Sequence, residues 1–256
     1  MFPTLWSMPR RILVPLPDCD FDVTEVAVPW RFLQRAGHQV VFSTENGGRR
    51  PEADPRLLTG VVFGQLGAAD EPKRWYEDLR DDASFSSPTA WGDLDVSDFD
   101  ALLLPGGHAP GMKQYLGSKL LQRHVATFWR LRRPVGAICH GVVVLSRAHD
   151  PDSGRSVLAD VRTTSLTKRL ERGAYWATSW RLGRYYRTYP AYVEDEVRSV
   201  LTSPQQFDRG PLTLRRDNDS TVGTGFIVRD GHYLSARWPG DAYTFAAAFT
   251  SMVNAL

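Results

Sequence analysis

The sequence predicts an α/β fold: a mostly parallel sheet with helices on both faces, finished by a C-terminal hairpin. Three observations carry that prediction. Short apolar segments of strand length alternate with segments of helical period, the pattern of a parallel sheet covered on both sides. Two of the most apolar strands end abruptly, at Pro105-Gly106-Gly107-His108 and at Cys139-His140-Gly141. Phe226 to Ala236 contains two strand-like runs around Asp230-Gly231, the residues of a tight hairpin. A chain of 256 residues suits one large domain with ample core. Residues 1–10 read as an N-terminal extension, and 11–256 as a single domain with an Arg/Trp/Tyr-rich insertion at about 168–210.

In chain order, Arg11 to Leu16 predicts the first strand, and Val23 to Ala36 an amphipathic helix. Val26, Trp30 and Leu33 share one face of that helix, which Gly37 stops. Gln39 to Ser43 predicts the next strand; residues 45–95 read as loops around a helix near Pro72 to Arg80. Asp98 to Leu104 predicts a strand running into the Pro-Gly-Gly-His turn. Lys119 to Leu131 predicts a helix with Leu120, Leu121, His124, Val125 and Phe128 inward. Pro134 to Ile138 reads as a short buried strand and Val142 to Leu145 as the first buried turn of a helix. Val157 to Ser165 is a further strand candidate and Tyr192 to Val200 a helix. Asp241 is expected to cap a last helix whose Phe245, Ala248, Phe249, Met252 and Val253 face inward.

The composition, 42% hydrophobic and 23% charged, is ordinary for a globular chain. A net charge of +2 gives no reason to expect nucleic acid or a membrane surface as a partner. The apolar runs are strand-sized, too short for a membrane span. Met1 to Met8 lacks the charged region and long apolar core of a secretory signal. Two cysteines, Cys19 and Cys139, make no disulfide framework, so a reducing cytoplasm is the expected location.

Cys139 stands at the switch from strand to helix. A side chain there is pushed out above the sheet edge, the geometry of a nucleophile elbow with sulfur in place of oxygen. The helix-end field is expected to lower the thiol pKa, and free N–H groups of the first turn to hold an oxyanion. Gly136 and Gly141 bracket the corner, where backbones must approach closely. A buried, inert cysteine is the competing reading. Glu25 is the carboxylate candidate, since its helix starts at the sheet edge where such folds bind ligands. Its spacing from Asp22 equally suits a capping box in which Glu25 reaches back. Pro29 leaves the Glu25 carbonyl without its usual N–H partner. The Gly107 N–H can point into the same crevice and, with that of His140, make a two-donor oxyanion hole; a merely tight turn is the alternative. His108 and His140 are the histidines nearest the corner. His140, adjacent in sequence, is poorly placed to take the thiol proton in line.

Asp22 to Gly37, with its Glu-(x)3-Pro-(x)7-Gly pattern, Leu104-Pro-Gly-Gly-His108 and Ala137-Ile-Cys-His-Gly141 together resemble the ThiJ/PfpI family. That family belongs to the class I glutamine-amidotransferase-like superfamily, and the resemblance covers nearly the whole chain. It implies a flavodoxin-like three-layer sandwich and a homodimer. It also implies Cys139 as nucleophile, Glu25 as its hydrogen-bonded acid/base partner, His140 as the neighbouring histidine, and Gly107 and His140 as oxyanion-hole amides. The Pro-Gly-Gly-His turn and the long stretch between elbow and hairpin resemble the larger chaperone/glyoxalase III-like branch. Val142 departs from the proline that commonly follows Cys-His-Gly. Larger members often orient the histidine with an acidic residue beyond the next strand, for which Glu171 is the nearest position. The two-histidine, one-carboxylate metal site of some relatives is not identifiable, so neither metal nor cofactor is expected.

Two features belong to this chain. Cys19 is a second thiol conceivably within reach of Cys139, an unrelated loop cysteine being the plainer reading. Tyr175 to Tyr189, with Arg181, Arg184 and Arg187, reads as a lid favouring anionic or aromatic substrates, or as a packing helix or subunit interface. The functional expectation is a Cys139 enzyme acting on a small carbonyl or amide substrate. Its form is glyoxalase III-like, 2-oxoaldehyde to hydroxy acid, or amidase/peptidase-like through a thioester. The competing class is a redox-sensing thiol protein or holdase chaperone without a dedicated substrate. A glutaminase is disfavoured because Tyr233 and Leu234, not x-Glu, follow His232. Gly223-Thr-Gly225 is no dinucleotide fingerprint, lacking the third glycine and the helix.

Overall fold

Ile12, Leu13 and Val14 form an unbroken apolar run that is buried throughout, as a central parallel strand requires. In the computed structural model, which describes residues 8–61, 65–187 and 190–256, this run lies in β1 (Arg11–Pro15). On one side it pairs with β3 (Gln39–Thr44), on the other with β6 (Ala101–Leu104). A seven-stranded sheet extends through β5 (Thr89–Ala90), β7 (Val135–Ile138), β9 (Tyr233–Ala236) and β8 (Ile227–Asp230). Its order is β5-β3-β1-β6-β7-β9-β8, parallel except for the edge strand β8, which forms the expected hairpin with β9. A separate two-stranded ribbon joins β2 (Cys19–Phe21) to β4 (Glu52–Ala53).

The helices form two groups that flank the sheet. In one, α1 (Val23–Arg35) packs against both α3 (Asp70–Leu79) and α10 (Ala242–Asn254). In the other, α7 (Gly141–Arg147) packs against α5 (Met112–Gly117), α6 (Lys119–Arg130) and α9 (Val193–Ser199). The short α2 (Pro55–Thr59) and α4 (Ala83–Ser86), and the longer α8 (Lys168–Leu182), complete the set among the described residues. This is the α/β architecture that the alternating pattern predicts, in the flavodoxin-like form the family resemblance implies. No helix among the described residues is long and apolar enough to cross a membrane. The first seven residues of the expected N-terminal extension lie outside the described residues.

Three local expectations are corrected. Val157 to Ser165 forms no strand: it runs through turns and irregular backbone, with a single bridge from Thr163 to Phe207. Its polar groups bond instead to side chains of β9: Thr163 Oγ1 lies 2.8 Å from the Tyr233 hydroxyl, and the Thr164 N–H donates to Ser235 Oγ at 3.0 Å. Asp241 does not cap α10, since its carboxylate is clamped by the buried Arg237 guanidinium at 2.8 and 2.9 Å. Asp217, from a distant loop, accepts the Tyr243 and Thr244 N–H groups in its place. An extra helix, α5, precedes α6, and Ser118 between them caps α6 by accepting the Leu121 N–H.

Candidate functional site

Cys139 is the residue immediately after β7, and α7 begins two residues later. Its φ of 58° lies in the left-handed region, which costs a non-glycine residue about 1–2 kcal/mol. The flanking glycines are required sterically: a Cβ on Gly141 would stand 2.0 Å from the Leu104 carbonyl oxygen, and one on Gly136 would stand 2.8 Å from the Phe249 ring. The Cys139 N–H donates to the Ala236 carbonyl of β9, tying the corner to the sheet edge. A strained, tied corner of this kind holds its side chain at one place.

Four side chains meet there. Sγ lies 3.5 Å from His140 Nδ1 and 3.9 Å from His108 Nε2. The two imidazoles meet edge to face, with ring centroids 4.7 Å apart. Glu25, in the first turn of α1, is fully buried, and its Oε2 accepts the Gly106 N–H at 2.8 Å. The carboxyl also interacts with the Cys139 thiol, while Oε1 has no partner in regular hydrogen-bond geometry. Asp22 caps α1 by accepting the Thr24 and Glu25 N–H groups. The reciprocal arm of a capping box is absent, because the Asp22 N–H donates to the Gly106 carbonyl. Glu25 is therefore free of capping duty and turned to the thiol.

The electrostatics correct one expectation. Burial, reinforced by the negative charges of Glu25 and Asp22, pushes the Cys139 thiol well above its usual pKa. The His140 N–H acts the other way and is outweighed. Cys139 is only 1% exposed, so the field of a two-turn helix cannot compensate for lost solvation. Burial, then the Asp22 charge, likewise raises the Glu25 carboxyl well above the carboxylate range. Burial lowers His108 to about 4 and His140 well below the usual imidazole value, the neighbouring His108 adding to the latter. At neutral pH the site holds a thiol, a high-pKa carboxyl and two neutral imidazoles. That set can pass one proton among its members, and any anion formed there is held by hydrogen bonds rather than water.

Glu171 is not the acid that orients His140. Its buried carboxylate accepts the Val193 N–H at 2.9 Å and pairs with Arg187 at 3.2 Å, fastening α8 to α9. Gly107 packs against Asp20, Asp22 and Met112, and among the described residues its N–H makes no backbone hydrogen bond. Cys19 is exposed and free, packed beside Gly111 and outside the cluster. His232 lies at the far end of β9, stacked edge-on against Trp129.

Two contributions escaped sequence reasoning. His108 was noticed only as a neighbour of the corner, yet the turn after β6 brings its ring to the thiol. The second is the particular neighbour of His108, which the sequence did not single out. Tyr186, in the turn after α8, lies 6.0 Å from the His108 ring and donates its hydroxyl to Asp54 Oδ2 at 2.8 Å. Asp54 is buried at the start of α2, and Arg56 stacks on the adjacent Tyr185 ring at 4.6 Å. Of the segment read as a lid or a packing helix, Tyr186 reaches the His108 ring, whereas Trp176 and Trp180 on α8 are each 65% exposed. Tyr189 lies outside the described residues. A separate cavity of about 480 Å3 opens between the start of α8 and Arg209–Thr213, with Arg237 in its wall.

A buried glutamate from the first helix, a glycine turn and a strained cysteine corner, in that chain order, define the geometry just described. The ThiJ/PfpI family-like model matches residues 16–211. The chain belongs to the ThiJ/PfpI family. It is similar to a Pyrococcus abyssi deglycase, at 23% identity over 95% of this chain and 99% of that protein. The Escherichia coli protein/nucleic acid deglycase 2 is 29% identical over 59% of this chain and 72% of its own length. The crystal structure of a Candida albicans glyoxalase III superimposes with a TM-score of 0.67, at 18% identity, over 95% and 97% of the two chains. That likeness shows the shared fold.

Proposed function

We propose that this protein is a cofactor-independent cysteine enzyme of the glyoxalase III type, converting a small 2-oxoaldehyde to the 2-hydroxy acid. The observation that carries the reading is the strained Cys139 corner, whose thiol meets a buried glutamate and two neutral imidazoles. The relatives named deglycase and glyoxalase support carbonyl chemistry in this family broadly.

In this mechanism the Cys139 sulfur adds to the aldehyde carbon. The C=O pair moves to oxygen, which receives the thiol proton through His140 or His108, giving a hemithioacetal. The N–H groups of Gly107 and His140 are suited to steady the oxygen while it carries charge. Glu25 then removes the proton from the sulfur-bearing carbon and returns it to the adjacent carbonyl carbon. The product is a 2-hydroxy thioester. Water cleaves it, releasing the hydroxy acid and restoring the thiol. A carboxyl whose pKa is raised by burial is a stronger base than an ordinary one, as this carbon-to-carbon transfer needs. A redox sensor is disfavoured by the same geometry: ready oxidation requires an exposed, low-pKa thiol, and this one is buried with its pKa raised.

The test is methylglyoxal turnover to lactate without glutathione, lost in Cys139→Ala. No turnover by wild-type protein, together with hydrolysis of small amides, would replace this reading with the amidase form.

A further inference from the structure

The folded chain assembles a ligand set that no spacing in the sequence announces. One ligand-type atom from each of His108, Cys139 and His140 lies within 4.8 Å of the other two. The sulfur–nitrogen separations are 3.5 Å to His140 and 3.9 Å to His108. A tetrahedral zinc ion, with bonds of about 2.3 Å to sulfur and about 2.0–2.1 Å to nitrogen, separates such ligands by about 3.5 Å. His140 already stands at that separation, and His108 reaches it by a shift of about 0.4 Å. The three side chains are held by a rigid corner and by a turn packed against it, so little must be ordered on binding. The charges also balance. The Glu25 carboxylate interacts with the same thiol and keeps Oε1 without a partner in a fully buried position. Thiolate and carboxylate together supply the two negative charges that neutralise a dication in a dry site.

We propose that Cys139, His108 and His140 form a binding site for a thiophilic divalent cation of the zinc class. One thiolate and two imidazoles favour zinc over the oxygen-seeking magnesium and calcium. Binding forms one metal–sulfur and two metal–nitrogen bonds and releases the thiol proton to solvent. The cation then occupies the sulfur lone pair that a carbonyl substrate would receive. The bound form is catalytically silent and regains activity when the metal is removed. The ligand set stands whatever substrate Cys139 attacks, so the site does not depend on the glyoxalase reading.

The experiment uses reduced, chelator-treated full-length protein, with Co2+ as the spectroscopic probe and Zn2+ as competitor. One equivalent of Co2+ should bind with a thiolate-to-cobalt charge-transfer band and tetrahedral visible absorption, both abolished by Zn2+. Cys139→Ala should remove the charge-transfer band. Cys19→Ala should keep it, separating the buried thiol from the exposed one. His108→Ala should weaken Zn2+ binding by at least the ~10–100-fold that loss of a mere outer-shell partner costs. His108→Gln, which preserves volume, serves the same purpose should the alanine variant not fold. The inference is overturned if saturating Co2+ gives no charge-transfer band, if the band survives in Cys139→Ala, or if both His108 variants bind Zn2+ like wild type. Methylglyoxal turnover measured on the metal-free, chelator-treated protein before metal is added separates the two claims. Turnover by the metal-free protein with no metal binding afterwards removes only this site; metal binding by a protein whose metal-free form shows no turnover removes only the proposed reaction.

Discussion

Tyr186→Phe is the sharpest test of how the site is reached. Cys139 is 1% exposed, so a reagent reaches its sulfur only after a local opening, expected where Tyr186 packs beside His108. The substitution keeps the ring that packs with Val61 and Ala109 but deletes the 2.8 Å hydrogen bond to the buried Asp54 carboxylate. A hydrogen bond to a charged group contributes about 1.5–3 kcal/mol net. Losing it raises the open population by about ten- to a hundredfold, since each 1.4 kcal/mol is a factor of ten. The residual contact from the Tyr185 hydroxyl to Asp54, at 3.5 Å, is too long to make up the loss. The pseudo-first-order rate of iodoacetamide alkylation of Cys139, followed by intact mass, should rise by the same factor. Thermal unfolding is recorded in parallel. An unchanged alkylation rate refutes the reasoning. So does an acceleration matched by an equal loss of global stability, because the sulfur is then reached by unfolding rather than by a local opening.

Glu25→Gln keeps the side-chain volume and the Gly106 contact but removes the base, so kcat for methylglyoxal should fall by about 10²–10⁴ while the fold persists; near-wild-type turnover would exclude proton transfer through Glu25. Gly141→Ala places a Cβ 2.0 Å from the Leu104 carbonyl and should cost about 1–3 kcal/mol or prevent folding, read as a lower urea midpoint. Burial raises the Glu171 pKa from 4.5 to about 7. Over that window the native state binds more protons than the unfolded chain, so the Glu171 contribution to stability falls as pH rises. Urea midpoints of wild type should therefore decline relative to Glu171→Gln between those two pH values; a difference that stays flat with pH contradicts the shift.

The legible part of this protein is the part governed by short-range pattern. β1, β6 and β7 are apolar on both sides because both faces of a parallel sheet are covered, and that demand is written residue by residue. The Cys139 corner is legible for a similar reason: a left-handed φ and a Cβ-free neighbour leave a local mark, here glycine on both sides. Val157 to Ser165 misled because its composition suits a strand, while its polar groups are taken up by the Tyr233 and Ser235 side chains of β9 instead of a backbone ladder. Asp241 misled in the same way. Its position suits a cap, but a buried guanidinium four residues earlier competes for its oxygens and wins, a bidentate ion pair between two charges outweighing bonds to uncharged N–H groups.

The order of residues along the chain thus determined the sheet and the elbow, since each rests on periodicity or on a motif whose parts lie close together; the pairing of Cys139 with Glu25, distant in sequence, was an expectation from the family resemblance alone. Tertiary structure alone decided what surrounds the sulfur. It brought His108 across 31 residues to the thiol, engaged Glu171 at the start of α9, and latched Tyr186 onto Asp54 across 132 residues. It also set the protonation state, reversing the expected ionised thiol, because solvation is a property of everything packed around an atom and not of its neighbours in sequence.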